Sequence, residues 1–523
     1  MPATSSTSRN SDPIASRPRR RLIARAASGV VAAGVVLGVG ELLSALTGPD
    51  SSPFYAVGST TVDRSPAWAR EFAISTFGTS DKPALFVGMS VLIAVTAAVA
   101  GIVERRRRPY GSAILVGLGL VGVYAAATRP GAGWVDTVPT VIGVVLGIVV
   151  LRLLTAELGD QPRGRAEGMP RRRFLVLASV AAAVAAAAGV AGRQMNQRLS
   201  GVLDSRRRVT IPAVADRAAP IPPGVDIEVP GATSFITPNP IFYRIDTALQ
   251  VPRLTTEDWR LRIHGMVDRE VTLTWDQLLR RTPLERRITL TCVSNEVGGD
   301  LAGNATWIGF PMADLLDEVG VQGDADMLLS TSVDGFTVGT PVEVLRDGRD
   351  AMLAVAMNGE PLPLEHGFPV RQVVPGLYGY VSATKWVVDW ELTRFDRAQA
   401  YWTKRGWGAR GPIKTASRID VPAAFAPVPV GRVLIAGTAW AQHRGIEKVE
   451  VRVDEGPWQT ATLAPEYSLD TWRQWTWQWD APEGVHNVQV RATDLDGNVQ
   501  VEERTPPIPD GATGWHGRTI TVR

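Results

Sequence analysis

The chain is poor in the residues that hold metals and electrons by themselves. It has 523 residues but one cysteine, Cys292, and five histidines, none before His264. A single cysteine excludes an intramolecular disulfide and a cysteine-ligated iron–sulfur cluster within this chain. The lack of histidine in the first 200 residues excludes two-histidine haem ligation inside a membrane. A strong excess of either charge is also missing: 55 Lys and Arg face 52 Asp and Glu, for a net charge of +3. The arginines cluster beside apolar segments, where membrane topology requires them, so the basic balance does not call for a nucleic-acid partner.

Present instead are two chemistries in one chain. The first 200 residues are rich in Ala, Val, Gly and Leu, whereas fourteen of the sixteen tryptophans come later. Five apolar stretches are expected to span a bilayer: Ala26 to Thr47, Ala84 to Val103, Ser112 to Thr128, Val138 to Leu154 and Phe174 to Gly192. A span needs about 20 apolar residues, so the third and fourth are the shortest that fit. Small residues such as Gly34, Gly38, Gly117 and Gly122 could let helices approach, a pattern too common to prove packing. The basic flanks Arg17 to Arg25, Glu104 to Arg108 and Arg163 to Arg173 alternate with the lightly basic connections 48–83 and 129–137. By the positive-inside rule the N-terminus is cytoplasmic and an odd number of spans leaves the C-terminal part extracytoplasmic, in a multi-pass protein of the cell membrane. Arg171, Arg172, Arg173, Phe174 and Leu175 resemble a twin-arginine export signal, which implies export of an already folded domain; an ordinary basic flank is the alternative.

The membrane region is thus assigned to 1–192 and a basic, then proline-rich tether to 193–224. Short apolar runs and helical spacing over 225–395 predict an α+β domain, with a helix at Met312 to Val319 and strands at Ala354 to Met357 and Trp386 to Leu392. Over 396–523 regularly spaced strands predict an immunoglobulin-like β-sandwich: Arg432 to Ala439, Lys448 to Val453, Trp475 to Trp479 and Val485 to Thr493, with turns at Asp454 to Gly456 and Asp494 to Gly497.

Chemistry gathers around Cys292. Ile288 and Leu290 alternate with Thr289 and Thr291, so a strand burying one face delivers the cysteine into a loop. A thiolate is a soft ligand, and one thiolate cannot close a zinc site, so other ligands would come from a cofactor or from His and carboxylates. A buried structural thiol is the alternative.

In order along the chain stand T-L-T-C-V-S-N, T-W-I-G-F-P-M-A-D-L-L, M-N-G-E-P-L-P-L-E-H-G-F-P-V-R-Q-V-V-P-G-L-Y-G and T-K-W-V. Together they resemble the sulfite oxidase family of molybdopterin-dependent oxidoreductases over about Val225 to Arg523, the C-terminal sandwich resembling the family's dimerisation domain. The resemblance implies a molybdenum-molybdopterin cofactor with Cys292 as the protein's metal ligand, and catalysis of two-electron oxygen-atom transfer. Arg244 would position substrate; Tyr243, Asp334, His366, Arg371 and Lys385 would bind the cofactor, the last three at its phosphate. Arg and Lys suit that task because each donates several hydrogen bonds to a phosphate. Implied partners are a small-molecule substrate, the membrane, a cytochrome or quinone-linked electron-transfer protein, and a second copy in a homodimer.

This chain departs from the sulfite-oxidising pattern. Glu296 and Val297 stand where those members carry arginine, Asp246 replaces the histidine that follows their arginine, and Trp407 replaces the tyrosine of their W-x-x-x-x-Y segment. A carboxylate at Glu296 would repel a small dianion, which implies weak turnover of sulfite. The alternatives are a sulfoxide-type reductase and a non-catalytic membrane receptor or assembly module that keeps the fold.

Overall fold

The structure, a computed structural model, describes residues 16–48, 51–77, 80–129, 132–156, 158, 171–199 and 201–523. They form two compact units, one ending at Gly201 and the other running from Val202 to Arg523.

The first unit is helical: α1 Ser16–Thr47, α2 Pro53–Arg64, α3 Ala67–Phe77, α4 Asp81–Val103, α5 Tyr110–Ala127, α6 Val138–Ala156 and α7 Arg171–Leu199. Five segments are long and apolar enough to cross a membrane, Arg21–Thr47, Asp81–Val103, Tyr110–Ala127, Trp134–Ala156 and Arg172–Met195, within a few residues of the expected spans. The basic stretch 163–170 lies outside the described residues. Close approach of α1 to α4 depends on glycine, because a Cβ on Gly29 would fall 1.8 Å from the Ala97 carbonyl oxygen. Among the small residues noted in the sequence, Gly38 abuts Ala185 and Gly122 abuts Thr140, whereas Gly117 has open space beside it. Buried Glu104 accepts from the Ser112 amide at 2.8 Å and its hydroxyl at 3.0 Å, capping the first turn of α5.

Parts of the stretch expected to be a tether are helical. α7 continues to Leu199, and α8, Val202–Arg208, packs on the second unit through buried Val202 and the Ser205–Thr256 hydrogen bond of 2.9 Å. Beyond it, Asp216 bridges Leu284 and pairs with Arg286 at 2.6 Å, while the Ala219 carbonyl accepts from Tyr467 Oη at 2.7 Å.

The second unit is built mainly of sheets. β1 Arg260–Gly265 and β2 Val271–Thr274 precede the short α9, Trp275–Leu279; β3 Leu284–Thr291 and β4 Ala302–Pro311 precede α10, Met312–Val319. There follow β5 Met327–Ser332, β6 Thr337–Pro341, β7 Met352–Met357, β8 Glu360–Pro361, β9 Arg371–Val373 and β10 Val387–Thr393. One sheet has the order β2-β1-β10-β5-β6, with β1 and β10 parallel; another runs β3-β4-β7-β8, with β9 on β7. Met312, Leu315, Leu316 and Val319 bury one face of α10, and Gly320 ends the helix in the left-handed conformation.

The remaining strands are β11 Ala416–Val421, β12 Pro427–Val428, β13 Gly431–Trp440, β14 Ile446–Val453, β15 Gln459–Thr460, β16 Thr462–Leu463, β17 Arg473–Ala481, β18 Gly484–Asp494 and β19 His516–Val522. They make two sheets, β11-β13-β17-β16 and β12-β19-β18-β14-β15. Ile435, Trp475 and Trp479 of one share a core with Val449, Val490 and Ile520 of the other.

Candidate active site

Cys292 follows directly on β3. The expected one-sided burial of this strand does not hold: Ile288, Thr289, Leu290 and Thr291 are all buried. The reason is that connections next to β13 and β17 supply polar partners for the threonine side. Thr289 Oγ1 accepts from the Trp472 amide at 2.8 Å, and Thr291 Oγ1 accepts from Gln442 Nε2 at 2.9 Å. The Cys292 amide donates to Leu301 O at 2.9 Å and its carbonyl accepts from the Asn295 amide at 3.0 Å, so the loop turns sharply after the thiol. Burial pushes the thiol pKa up; hydrogen bonds from Ser294 and the charge of Lys385 pull it back.

A second group of side chains comes from β9 and the connections on either side of it. His366 is buried, with Nε2 3.4 Å from Asn239 O, and burial together with the charges of Arg371 and Lys385 lowers its pKa to about 3. Arg371 is buried too; it donates to the carbonyls of His366 at 3.2 Å and Gln372 at 3.3 Å and stacks over Trp307. Burial lowers its pKa to about 10, and among the described residues no carboxylate pairs with it. Gly367 makes this packing feasible: φ is 111°, and a Cβ there would lie 3.0 Å from Arg371 Cβ and 3.1 Å from Lys385 Cβ. Next to Lys385, buried Trp386 holds a φ of 50° and donates Nε1 to Leu364 O at 2.9 Å.

Lys385 Nζ donates to Asp246 Oδ2 at 2.9 Å and to Glu365 O at 3.1 Å; burial lowers its pKa to about 8 against the opposing pull of Asp246. The same Asp246 oxygen accepts from Arg244 Nε at 2.8 Å. Tyr243 stacks on Phe242 with ring centroids 5.2 Å apart, and burial raises its phenol pKa.

These groups border a cavity of about 120 Å³ whose lining includes Cys292, Tyr243, Asp334, His366, Arg371 and Lys385. Six of the seven residues expected at the site therefore meet. The seventh, Arg244, is not on the wall; its guanidinium is turned to Asp246. Glu296 and Val297 do not face this cavity either. Glu296 is exposed, and both border a separate cavity of about 520 Å³. Repulsion of a substrate dianion at Cys292 cannot be assigned to Glu296. Sequence reasoning missed Ser332, Phe336 and Tyr380 on the wall, for which no local motif exists. Trp402 and Trp407 do line it.

The donors fit a cofactor that carries a phosphate and a thiolate-accepting metal. Among the described residues Arg371 has no carboxylate partner and the buried Ser332 Oγ in the lining has no hydrogen-bond partner, and the chain's one cysteine faces the same space. Among the described residues no cluster of three His, Cys, Asp or Glu side chains could hold an ion by itself, so a metal here would take most of its ligands from the cofactor.

Comparison with known proteins agrees with this chemistry. Residues 248–402 match the oxidoreductase molybdopterin binding domain. Human mitochondrial sulfite oxidase is 30% identical over 330 aligned residues, covering 52% of this chain and 58% of the human protein. Inducible nitrate reductase [NADH] 2 of Glycine max is 29% identical over 337, covering 51% of this chain and 37% of the soybean protein. Among solved structures, the sulfane dehydrogenase SoxCD from Paracoccus pantotrophus aligns over 56% of this chain and 84% of that one, at 24% identity and a TM-score of 0.49. The second unit therefore contains a molybdopterin-dependent oxidoreductase domain of the sulfite oxidase type, whose cofactor is molybdenum-molybdopterin. The chain spans about half the length of the curated relatives it matches, 58% of the human protein and less of the soybean one.

Proposed function

We propose that the chain is a membrane-anchored molybdenum oxidoreductase, facing the extracytoplasmic side, that catalyses two-electron oxygen-atom transfer on a small substrate. The observation that carries this reading is the sharing of one cavity wall by Cys292 with His366, Arg371 and Lys385. Bound there, the cofactor supplies two-electron redox chemistry coupled to oxygen-atom transfer. The chain's own residues bind and orient it. Cys292 offers the soft ligand to the metal. Arg371 and Lys385 donate to the phosphate, with neutral His366 and the Ser332 hydroxyl beside them and Asp334 and Tyr243 completing the walls. Arg244 belongs to the substrate end, held by Asp246.

The five apolar helices support anchoring. The alternation of basic flanks supports a cytoplasmic N-terminus, with Arg171 and Arg172 as a twin-arginine signal. In the same reading 225–395 is the cofactor domain, 396–523 is an immunoglobulin-like sandwich through which two copies pair, and a cytochrome or quinone-linked protein exchanges the electrons. A sulfoxide-type reductase is the second reading, favoured by the aromatic wall of Phe336, Tyr380, Trp402 and Trp407.

The test is metal analysis of the purified full chain with an activity screen against sulfite and a set of sulfoxides. About one molybdenum per chain with turnover of either class supports the proposal; a chain without molybdenum points to a receptor or assembly module. For orientation, a reporter fused after Arg523 is expected to be active only outside, and cytoplasmic activity overturns the topology.

A further inference from the structure

We propose that Asp246 sets the charge class of the substrate, excluding dianions in favour of neutral molecules by engaging Arg244 and Lys385 in one ion cluster. The inference rests on the reading of the Cys292 cavity as the molybdopterin site. Asp246 Oδ2 accepts from both Arg244 Nε at 2.8 Å and Lys385 Nζ at 2.9 Å, while Oδ1 lies 3.5 Å from Arg244 Nη2. The Nε/Nη2 edge of the guanidinium is therefore directed at Asp246 and is taken from any substrate anion. A dianionic oxyanion is held best by such a fork.

Two members of the cluster are shielded, the Asp246 side chain being 6% exposed and that of Lys385 10%, whereas Arg244 is 38% exposed. Among the charged groups on the wall, Asp246 and Asp334 balance Arg371 and Lys385, and His366 is neutral. A cofactor phosphate engages the two cations in turn, which leaves no surplus positive charge for a dianion. The rest of the mouth is aromatic. Trp407 stands 5.9 Å from Trp402 and 5.8 Å from Tyr380, and the Tyr380 hydroxyl donates away from the cavity, to Gly408 O at 2.6 Å. Such a wall favours an uncharged, polarisable substrate such as a sulfoxide over a hydrated dianion.

The test uses full-length chain loaded with cofactor and inorganic sulfate as an unreactive dianion, with Kd measured by calorimetry and molybdenum assayed in each preparation. Asp246→Asn is expected to tighten sulfate binding on the order of tenfold, the equivalent of one charge interaction, with molybdenum retained. Adding Arg244→Gln is expected to abolish the gain. An Asp246→Asn protein that keeps molybdenum and binds sulfate no better overturns the proposal, as does a gain that survives loss of Arg244. Where Asp246→Asn does not assemble, Arg244→Gln alone decides: a change in sulfate Kd below about threefold supports the proposal, and a loss of about tenfold shows that Arg244 already serves anions and overturns it. Failure of the enzyme reading shows separately, as wild-type chain without molybdenum, and takes this inference with it.

Discussion

His366 provides a measurable link between the geometry of the site and acid stability. Its imidazole is buried beside Arg371 and Lys385, which lowers its pKa from 6.5 to about 3. The unfolded chain therefore binds a proton that the folded chain refuses, and stability falls as pH drops below 6.5 until the folded value is reached. At about 1.4 kcal/mol per pH unit, the penalty is about 2 kcal/mol at pH 5 and approaches about 5 kcal/mol near pH 3. His366→Gln removes the titration while keeping a polar group near Asn239 O. The assay is thermal unfolding of the cofactor-free full chain in detergent, followed by tryptophan fluorescence, which reports mainly on the region after residue 200 because fourteen of the sixteen tryptophans lie there. Between pH 7 and pH 5 the wild type is expected to lose about 4 °C more in Tm than His366→Gln. Because every other titratable group is common to both proteins, the comparison isolates one ring. A phosphate seated near the imidazole would raise its folded pKa, so the loaded wild type is expected to decline less steeply. Indistinguishable declines in apo wild type and His366→Gln would refute the reasoning.

Cys292→Ser is expected to keep the fold and part of the pterin but lose turnover, because oxygen is a harder ligand than thiolate; unchanged kcat removes the residue from the site. Gly367→Ala is expected to cost about 1–3 kcal/mol from backbone strain alone and, by pressing on Arg371 and Lys385, to lower molybdenum content by at least about half; a fully loaded, equally stable variant would show that the close packing at φ 111° is dispensable. Arg371→Ala is expected to reduce bound molybdenum while raising the Tm of the apo protein, since it removes a buried cation without a counter-charge; full occupancy would contradict its assignment to the phosphate.

The five long apolar helices were legible because length and apolarity suffice to mark them, and the ends agree within a few residues. α2 and α3 were not, since each is a short segment inside a connection. α10 could be read from four apolar residues at helical spacing closed by Gly320, and β13, β14, β17 and β18 from the turns between them. Their pairing could not be read, because β13 finds β17 and β14 finds β18 across intervening strands. At the site, motif order brought Cys292, His366, Arg371 and Lys385 to the same cavity. It did not indicate side-chain direction. The turn made by Asn295, whose amide donates to Cys292 O and whose Oδ1 accepts from the Leu301 amide at 2.9 Å, sends 292–294 to one cavity and 295–298 to the other. Arg244 was likewise placed by a partner two residues away, which no spacing rule anticipates.

The threonines of β3 bind the fate of the two halves of the second unit together. Thr289 and Thr291 are fully enclosed, and their hydrogen-bond partners Trp472 and Gln442 lie in the C-terminal half, just before β17 and in the turn after β13. Cutting the chain before β11 would expose those hydroxyls and the strand on which the thiol is mounted, so a minimal fragment limited to the matched domain, 248–402, is a poor candidate for a working catalyst. Transplanting this site into another protein would require carrying the distant tryptophan and glutamine with it, as the rear wall of a socket travels with its contact.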